Sequence, residues 1–414
     1  MKLTADFLII GGGIVGLTLA LEAKRRFPKS SVIVIDKEKI CGSHASGRNS
    51  GVLHAGFYYS ADSLKARFTR EGNRRLTQYC VERGLRINRC GKLVVARNTT
   101  ELAGLAELLQ RGKRNGVEVH EITEKEAREI EPRARTHEKA LFSPTTSSVD
   151  PTEVIRTLIG DAHAAGVTIF TETAYVRKTD GALMTSRGPI AVGFVINAAG
   201  LYADKIARDF GFSKDYRILP FKGLYLLSDE PPGALRTNIY PVPDAEKPFL
   251  GVHFTVTVDG KIKIGPTAVP AFWREHYRGL GNFSITELFE VVGRELGMLL
   301  HNDFGFRSLA MSELRKSSKA EMAKLASELV SGVAPEHYRT WGPPGIRAQL
   351  VNIRNRKLEM DFRFEGDSRS LHVLNAVSPA FTCALPFSEH LFDCMQRNQF
   401  AAQLFHRETI QNEN

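Results

Sequence analysis

Asp6-Phe7-Leu8-Ile9-Ile10-Gly11-Gly12-Gly13-Ile14-Val15-Gly16 is the stretch on which the fold turns. An apolar strand over 6–10 runs into glycines, and helical periodicity follows over 14–26. Gly11, Gly13 and Gly16 satisfy G-x-G-x-x-G. Gly11 permits a tight turn, Gly13 lets the backbone approach a pyrophosphate, and Gly16 lets the helix close on its strand. The first helical N–H groups, at Ile14 and Val15, offer positive potential to phosphates. A second strand over 31–36, with Val32, Ile33, Val34 and Ile35 uninterrupted, reads as buried on both faces. It ends at Asp36, twenty residues beyond Gly16, where a carboxylate accepts ribose hydroxyls. A merely glycine-rich turn would not account for that acid. The unit predicts a dinucleotide-binding β-α-β start.

Outward from this unit, helices are expected over 66–83, 101–115, 124–130 and 151–163. Asp150 is placed at an N-cap, with Pro151 at the first helical position. Between 221 and 267 the pattern changes to alternating strands with Pro and Gly turns, over 223–227, 238–241, 250–258 and 261–264. That pattern predicts an antiparallel sheet. Helices over 284–300 and 317–329 follow, then strands over 345–351 and 371–375 and a helix after Pro379. The expected architecture is two interleaved domains, α/β and α+β in class. A split Rossmann-like domain is assembled from 1–85, 141–215 and 335–405. A mixed antiparallel-sheet substrate domain is inserted as 86–140 and 216–334, and 406–414 form a polar tail.

The 414 residues suffice for two or three domains with real cores. With 43% hydrophobic and 25% charged residues, disorder and fibrous classes are excluded. The apolar run over 7–21 is broken by glycines and is too short to span a bilayer. No secretory signal is recognisable in the opening residues. Five cysteines without a C-x-x-C pair predict reduced thiols, no zinc or other metal site, and a cytoplasmic protein. The net charge of +10 admits nucleic acid, an anionic membrane surface or acidic small molecules as partners. No zinc motif, RNP-type aromatic strand or long basic block supports nucleic acid.

Phe194-Val195-Ile196-Asn197-Ala198-Ala199-Gly200 resembles the second motif of two-dinucleotide-fold flavoproteins, which favours FAD over NAD. The run from Ser46 to Tyr59 (SGRNSGVLHAGFYY) closely resembles a segment of L-2-hydroxyglutarate dehydrogenases and oxidases. These are FAD enzymes of the D-amino-acid-oxidase/glycerol-3-phosphate-dehydrogenase superfamily. Similar runs are Cys90-Gly91-Lys92-Leu93-Val94-Val95-Ala96, Ile239-Tyr240-Pro241-Val242-Pro243-Asp244 and Pro248-Phe249-Leu250-Gly251-Val252-His253-Phe254-Thr255. So too are Gly265-Pro266-Thr267-Ala268-Val269 and Pro344-Gly345-Ile346-Arg347-Ala348-Gln349. The likeness runs in order over about 5–400. It departs from the family pattern at Arg48 (usually His), at Lys222 and Leu224 (usually Arg and an acid), and at Phe381 (usually small).

The resemblance implies FAD, held by Gly11, Gly13, Ile14, Val15, Gly16, Asp36, Lys37, His44, Ser46, Asn49, Ser50, Gly51, Val52, Val176, Ala198, Gly200, Ser378, Pro379 and Ala380. It implies oxidation of L-2-hydroxyglutarate or a close 2-hydroxy diacid to the 2-oxo acid, by hydride transfer from C2 to flavin N5. Removing the hydroxyl proton calls for a base with a pKa near neutrality, which makes His54 and His253 the catalytic candidates. Each also has a reading as a structural histidine. A substrate carboxylate suits the Arg347 fork, with an interdomain salt bridge as the alternative. A diacid needs a second cation, from Lys222 or Arg274, and Tyr240 offers a hydroxyl or is core. Quinone or oxygen is the expected electron acceptor, and weak peripheral contact with the inner membrane face is compatible with the former. The alternative activity is oxidation of an amino acid or secondary amine, motivated by Lys222, Leu224 and Phe381.

Overall fold

The computed structural model describes residues 3–244 and 250–397. Pro248 and Phe249, and the expected tail over 406–414, lie outside the described residues. The opening strand β1 (Leu3–Ile10) lies between β2 (Val32–Ile35) and the strand Gly188–Asn197, parallel to both. Ile10 is level with Ile35 on one side and Asn197 on the other, so three strand ends open at one height. The full order is Tyr175–Thr179, Ala182–Thr185, Gly188–Asn197, β1, β2, Val167–Phe170. Ser370–Asn375 adds in parallel to Gly188–Asn197, and Arg363–Gly366 pairs with it antiparallel. All four β2 residues are buried, as their unbroken apolar run requires.

The helix α1 (Ile14–Arg26) packs on this sheet together with Pro151–Ala164, Leu64–Glu82 and Ala380–Gln396. Asp150 caps its helix as expected, accepting from the N–H groups of Thr152 and Glu153. The helix Leu64–Glu82 begins two residues earlier than its periodicity suggests, because Ser63 accepts from Ala66 N. The helix expected over 284–300 is found as Ile285–His301, capped by Ser284.

A second eight-stranded sheet runs Thr340–Trp341, Leu226–Leu227, Ile262–Gly265, His253–Val256, Asn238–Pro241, Lys92–Val95, Lys139–Ser143, His120–Thr123. The pairing Tyr240↔Val94 joins the two inserted segments edge to edge. The domain boundaries drawn from sequence keep this pairing within one domain but cut through the sheet at two other places. Lys139–Ser143 crosses the boundary at 140/141, and Thr340–Trp341, assigned to the nucleotide domain, pairs with Leu226–Leu227. Between the two large sheets, Tyr216–Gly223 and Gly345–Asn352 form an antiparallel pair that brings Phe221 opposite Arg347. The sequence pattern suggested one strand over 223–227. The chain instead breaks after Gly223, where Leu224 N donates to Thr267 Oγ1. Strand ends set by partners far away in sequence are invisible to local patterning.

Candidate active site

A cleft of about 910 Å³ begins at the open strand ends and runs to the Phe221–Arg347 pair. At its nucleotide end lie Gly11, Gly13, Ile14, Val15, Asp36, Lys37, Ala198, Gly200 and Val176. Gly11 has φ +107°, and a Cβ there would stand 2.6 Å from Ala198 O. A Cβ on Gly13 would meet Ser46 Oγ at 2.9 Å. The backbone can approach a phosphate here only because both side chains are absent. Gly16 does not line the cleft; its missing Cβ, 1.9 Å from Gly11 O, is what lets α1 pack. The Asp36 carboxylate accepts from Gly12 N and Glu38 N at 2.8 Å, which aims its outer lone pairs along the cleft.

The loop after β2 crosses the cleft. Ser46 Oγ accepts from Ile14 N at 2.9 Å, so this side chain helps cap α1. Asn49 folds the loop on itself, donating to Ser46 O and accepting from Gly51 N. Ser50 and Val52 line the cleft, whereas Gly51 has φ +77° and its Cβ would stand 2.3 Å from Val149 O, a purely structural requirement. His44 lies at the rim, 2.6 Å from Tyr277 Oη and 3.0 Å from Glu38 Oε1. Lys37 places its ammonium between Glu38 and Glu275. Ser378, Pro379, Ala380, Phe381 and Thr382 form the opposite wall, at the N-terminus of Ala380–Gln396.

His54, Tyr225, Phe221, Phe381 and Arg347 also line the cleft, with Phe221 and Tyr225 beside Arg347. His54 is held through its backbone N–H, which donates to Thr382 Oγ1 at 3.2 Å. Burial pushes the His54 imidazolium well below its usual pKa of 6.5, and the neighbouring Lys92 and His253 push the same way. The ring is neutral at neutral pH. Burial also lowers the pKa of Arg347, opposed by the Tyr225, Tyr59 and Glu313 side chains. Burial raises the Tyr225 phenol to about 12, so it stays a donor.

The remaining expected residues are not in the cleft. Arg274 is fully buried: it forms an ion pair with Asp204 at 2.6 Å, approaches Glu287 and Glu290, and donates to Leu201 O. With three carboxylates around it, it has no role as a substrate anchor. It instead fixes the turn after Gly200. Lys222 does not line the cleft, although its neighbours Phe221 and Gly223 do. The departure from Arg to Lys there therefore leaves the cleft lining unchanged. Tyr240 and His253 stack on each other at 3.8 Å behind His54, and His253 Nδ1 lies 2.9 Å from Gly251 O. Burial lowers His253 to about 3, so it too is neutral, but unlike His54 it does not line the cleft and so does not meet the substrate.

The roles of two basic residues, one in the cleft and one behind it, escaped sequence reasoning. Arg48 lines the cleft, stacks over Tyr277 at 4.5 Å and donates to Ser43 O. Lys92 is fully buried beside His54. Its signal was present: it is the one charged residue in the strand Lys92–Val95, all of which is buried.

A family model described as FAD dependent oxidoreductase matches residues 6–392. The chain is 37% identical to the mitochondrial L-2-hydroxyglutarate dehydrogenase of Nematostella vectensis, covering 94% of this chain and 90% of that protein. It is 36% identical to the mitochondrial L-2-hydroxyglutarate dehydrogenase of Homo sapiens, over 95% and 89%. Among solved structures, the dithionite-reduced L-alpha-glycerophosphate oxidase from Mycoplasma pneumoniae with FAD bound superposes with a TM-score of 0.75. Identity there is 22%, covering 95% of both chains. FAD fits the cleft on the chain's own evidence: glycine-opened backbone at a helix N-terminus, an acid at the end of β2, and a second helix N-terminus at Pro379.

Proposed function

This chain belongs to the FAD dependent oxidoreductase family, and from that premise we propose that it oxidises L-2-hydroxyglutarate to 2-oxoglutarate. The observation that carries the reading is a single cleft lined by both a neutral histidine, His54, and a buried arginine, Arg347. FAD, when bound, supplies the two-electron hydride acceptor. Arg347 grips the carboxylate next to the reacting carbon through its planar fork. His54 accepts the hydroxyl proton, for which a neutral imidazole is required. Phe221 and Phe381 exclude water, and Tyr225 donates a hydrogen bond to the oxygen-rich substrate. The helix end at Pro379 favours negative charge on the reduced ring.

Purified protein should carry FAD and be bleached anaerobically by L-2-hydroxyglutarate and not by its D-enantiomer. Full FAD loading without bleaching would overturn the substrate. Ammonia release from an amino-acid panel would mark the amine-oxidising alternative, which loses one of its motives now that Lys222 lies outside the cleft.

Electron delivery to a membrane quinone is supported by one surface. Leu280, Phe289, Leu296 and Leu300 are more than half exposed, as are Met311 and Leu314 on the adjoining helix Phe306–Arg315. So large an apolar face marks a contact site, and the exposed Arg278 and Arg315 on the same segments suit anionic headgroups. Among the described residues no helix is long and apolar enough to cross a membrane. Anionic vesicles should co-sediment the protein, and the double change F289E/L300E should abolish this. Failure to sediment, with dimer formation lost in that variant, would assign the face to a second copy.

A further inference from the structure

Lys92 lies at the centre of a sealed compartment behind His54. Its Nζ is 3.5 Å from His54 Nδ1 and sits over the rings of Tyr240, Tyr58 and Phe57 at 4.1, 5.1 and 5.7 Å. Its side chain is fully buried, and among the described residues no carboxylate pairs with it. The titratable groups around it are His54, His253, Tyr58, Tyr240 and Cys90.

We propose that Lys92 is the positioning residue of His54: as a neutral amine it accepts from Nδ1–H, sets the tautomer, and takes up the proton that His54 receives from substrate. This deepens the reading of His54 as base and rests on it. The geometry offers two states. A charged Lys92 would donate to Nδ1, which forces the ring proton onto Nε2 and leaves His54 unable to accept. A neutral Lys92 accepts from Nδ1–H and leaves a lone pair on Nε2, at the opposite edge of the ring.

Burial selects the second state near and above neutrality, since it lowers the Lys92 ammonium to about 7. Burial also explains why His54 needs a partner, because an imidazolium in this compartment is strongly disfavoured. The step then balances. The substrate O–H proton moves to Nε2, and the Nδ1 proton moves to Lys92 Nζ. The C2–H bond breaks and C2–O becomes a carbonyl, and FAD, when bound, would take up the hydride. His54 ends neutral with its proton on Nε2. The positive charge ends on Lys92, against three aromatic faces that attract it, and the proton returns to solvent after product leaves.

The test uses the FAD-loaded enzyme with and without substrate. In the substrate-free state, 15N-histidine spectra should show His54 changing from the Nε2–H to the Nδ1–H tautomer as pH rises through about 7. The change should be absent in Lys92→Met, whose side chain has similar length and no charge. [ε-13C]Lysine spectra should show the resonance lost in K92M titrating near 7. With L-2-hydroxyglutarate, anaerobic flavin reduction should fall about 100-fold in K92M while substrate affinity changes less than threefold. Its rise through pH 7 should disappear, and Lys92→Arg, permanently charged, should not restore it. A single His54 tautomer from pH 6 to 9, or a Lys92 that titrates like a free lysine, would overturn the proposal. A wild-type enzyme that L-2-hydroxyglutarate does not reduce would overturn only the substrate, because both spectra report on Lys92 without it.

Discussion

Arg274 and Asp204 meet as a pair with both side chains completely shielded from solvent, Nη1 to Oδ1 at 2.6 Å. Burial alone would push the Asp204 pKa up, yet the adjoining guanidinium and the Ile218 N–H hold it below the usual carboxylate range. The pair joins the turn after Gly200 to a segment more than seventy residues away and so shapes the cleft without entering it. Breaking a buried pair by removing one charge costs about 3–5 kcal/mol. Asp204→Asn should therefore lower urea-melt stability by roughly that amount and loosen FAD retention. Replacing both partners, Asp204→Asn with Arg274→Met, should recover part of the loss.

Gly11 and Gly200 both adopt positive φ, at +107° and +53°, but only Gly11 is crowded. Gly11→Ala would drive a methyl group into Ala198 O and should leave the purified protein without FAD, read from the flavin absorbance per chain. Gly200→Ala meets nothing within 4 Å, so it bears only the backbone cost of about 1 kcal/mol and should retain FAD.

Arg347 and Lys222 sit on paired strands, and only Arg347 lines the cleft. Arg347→Lys keeps the charge and loses the fork, so substrate affinity should fall about 10-fold or more. Arg347→Met should fall further. Lys222→Met should change both affinity and turnover less than twofold. A large loss in K222M would restore Lys222 as a substrate anchor.

Glu295 is buried on the helix Ile285–His301, its Oε1 has no hydrogen-bond partner among the described residues, and burial raises its pKa to about 8. A raised carboxyl favours the fold while protonated in both states, and that advantage is lost as pH climbs from the unfolded value near 4.5 through 8. Glu295→Gln removes the titration. Relative to the wild type it should gain up to about 1.4 kcal/mol per pH unit between pH 5 and 8, measured by urea melts at each pH.

The nucleotide half of the cleft was legible because its signals are local. Gly11, Gly13 and Asp36 lie within one β-α-β unit, and each is required by backbone approach or strand termination within it. His54 and Arg347 were reached through resemblance in short runs, and the fold brings both into the lining of one cleft. Arg274 and Lys222 could not be sorted this way. A cation in sequence looks the same whether it meets substrate, three carboxylates or the far face of a sheet.

The sequence by itself determined the β-α-β nucleotide unit, the family and FAD, since these rest on spacing within short segments and on motif order. Only the tertiary structure decided which charges reach the cleft. That depends on pairings such as Phe221 with Arg347 and Tyr240 with Val94, which join segments more than a hundred residues apart. It also decided the state of Lys92. The pKa of a lysine in an apolar strand falls to about 7 only when a second, distant strand supplies Tyr240 and closes the compartment, because desolvation acts on what surrounds a charge in space.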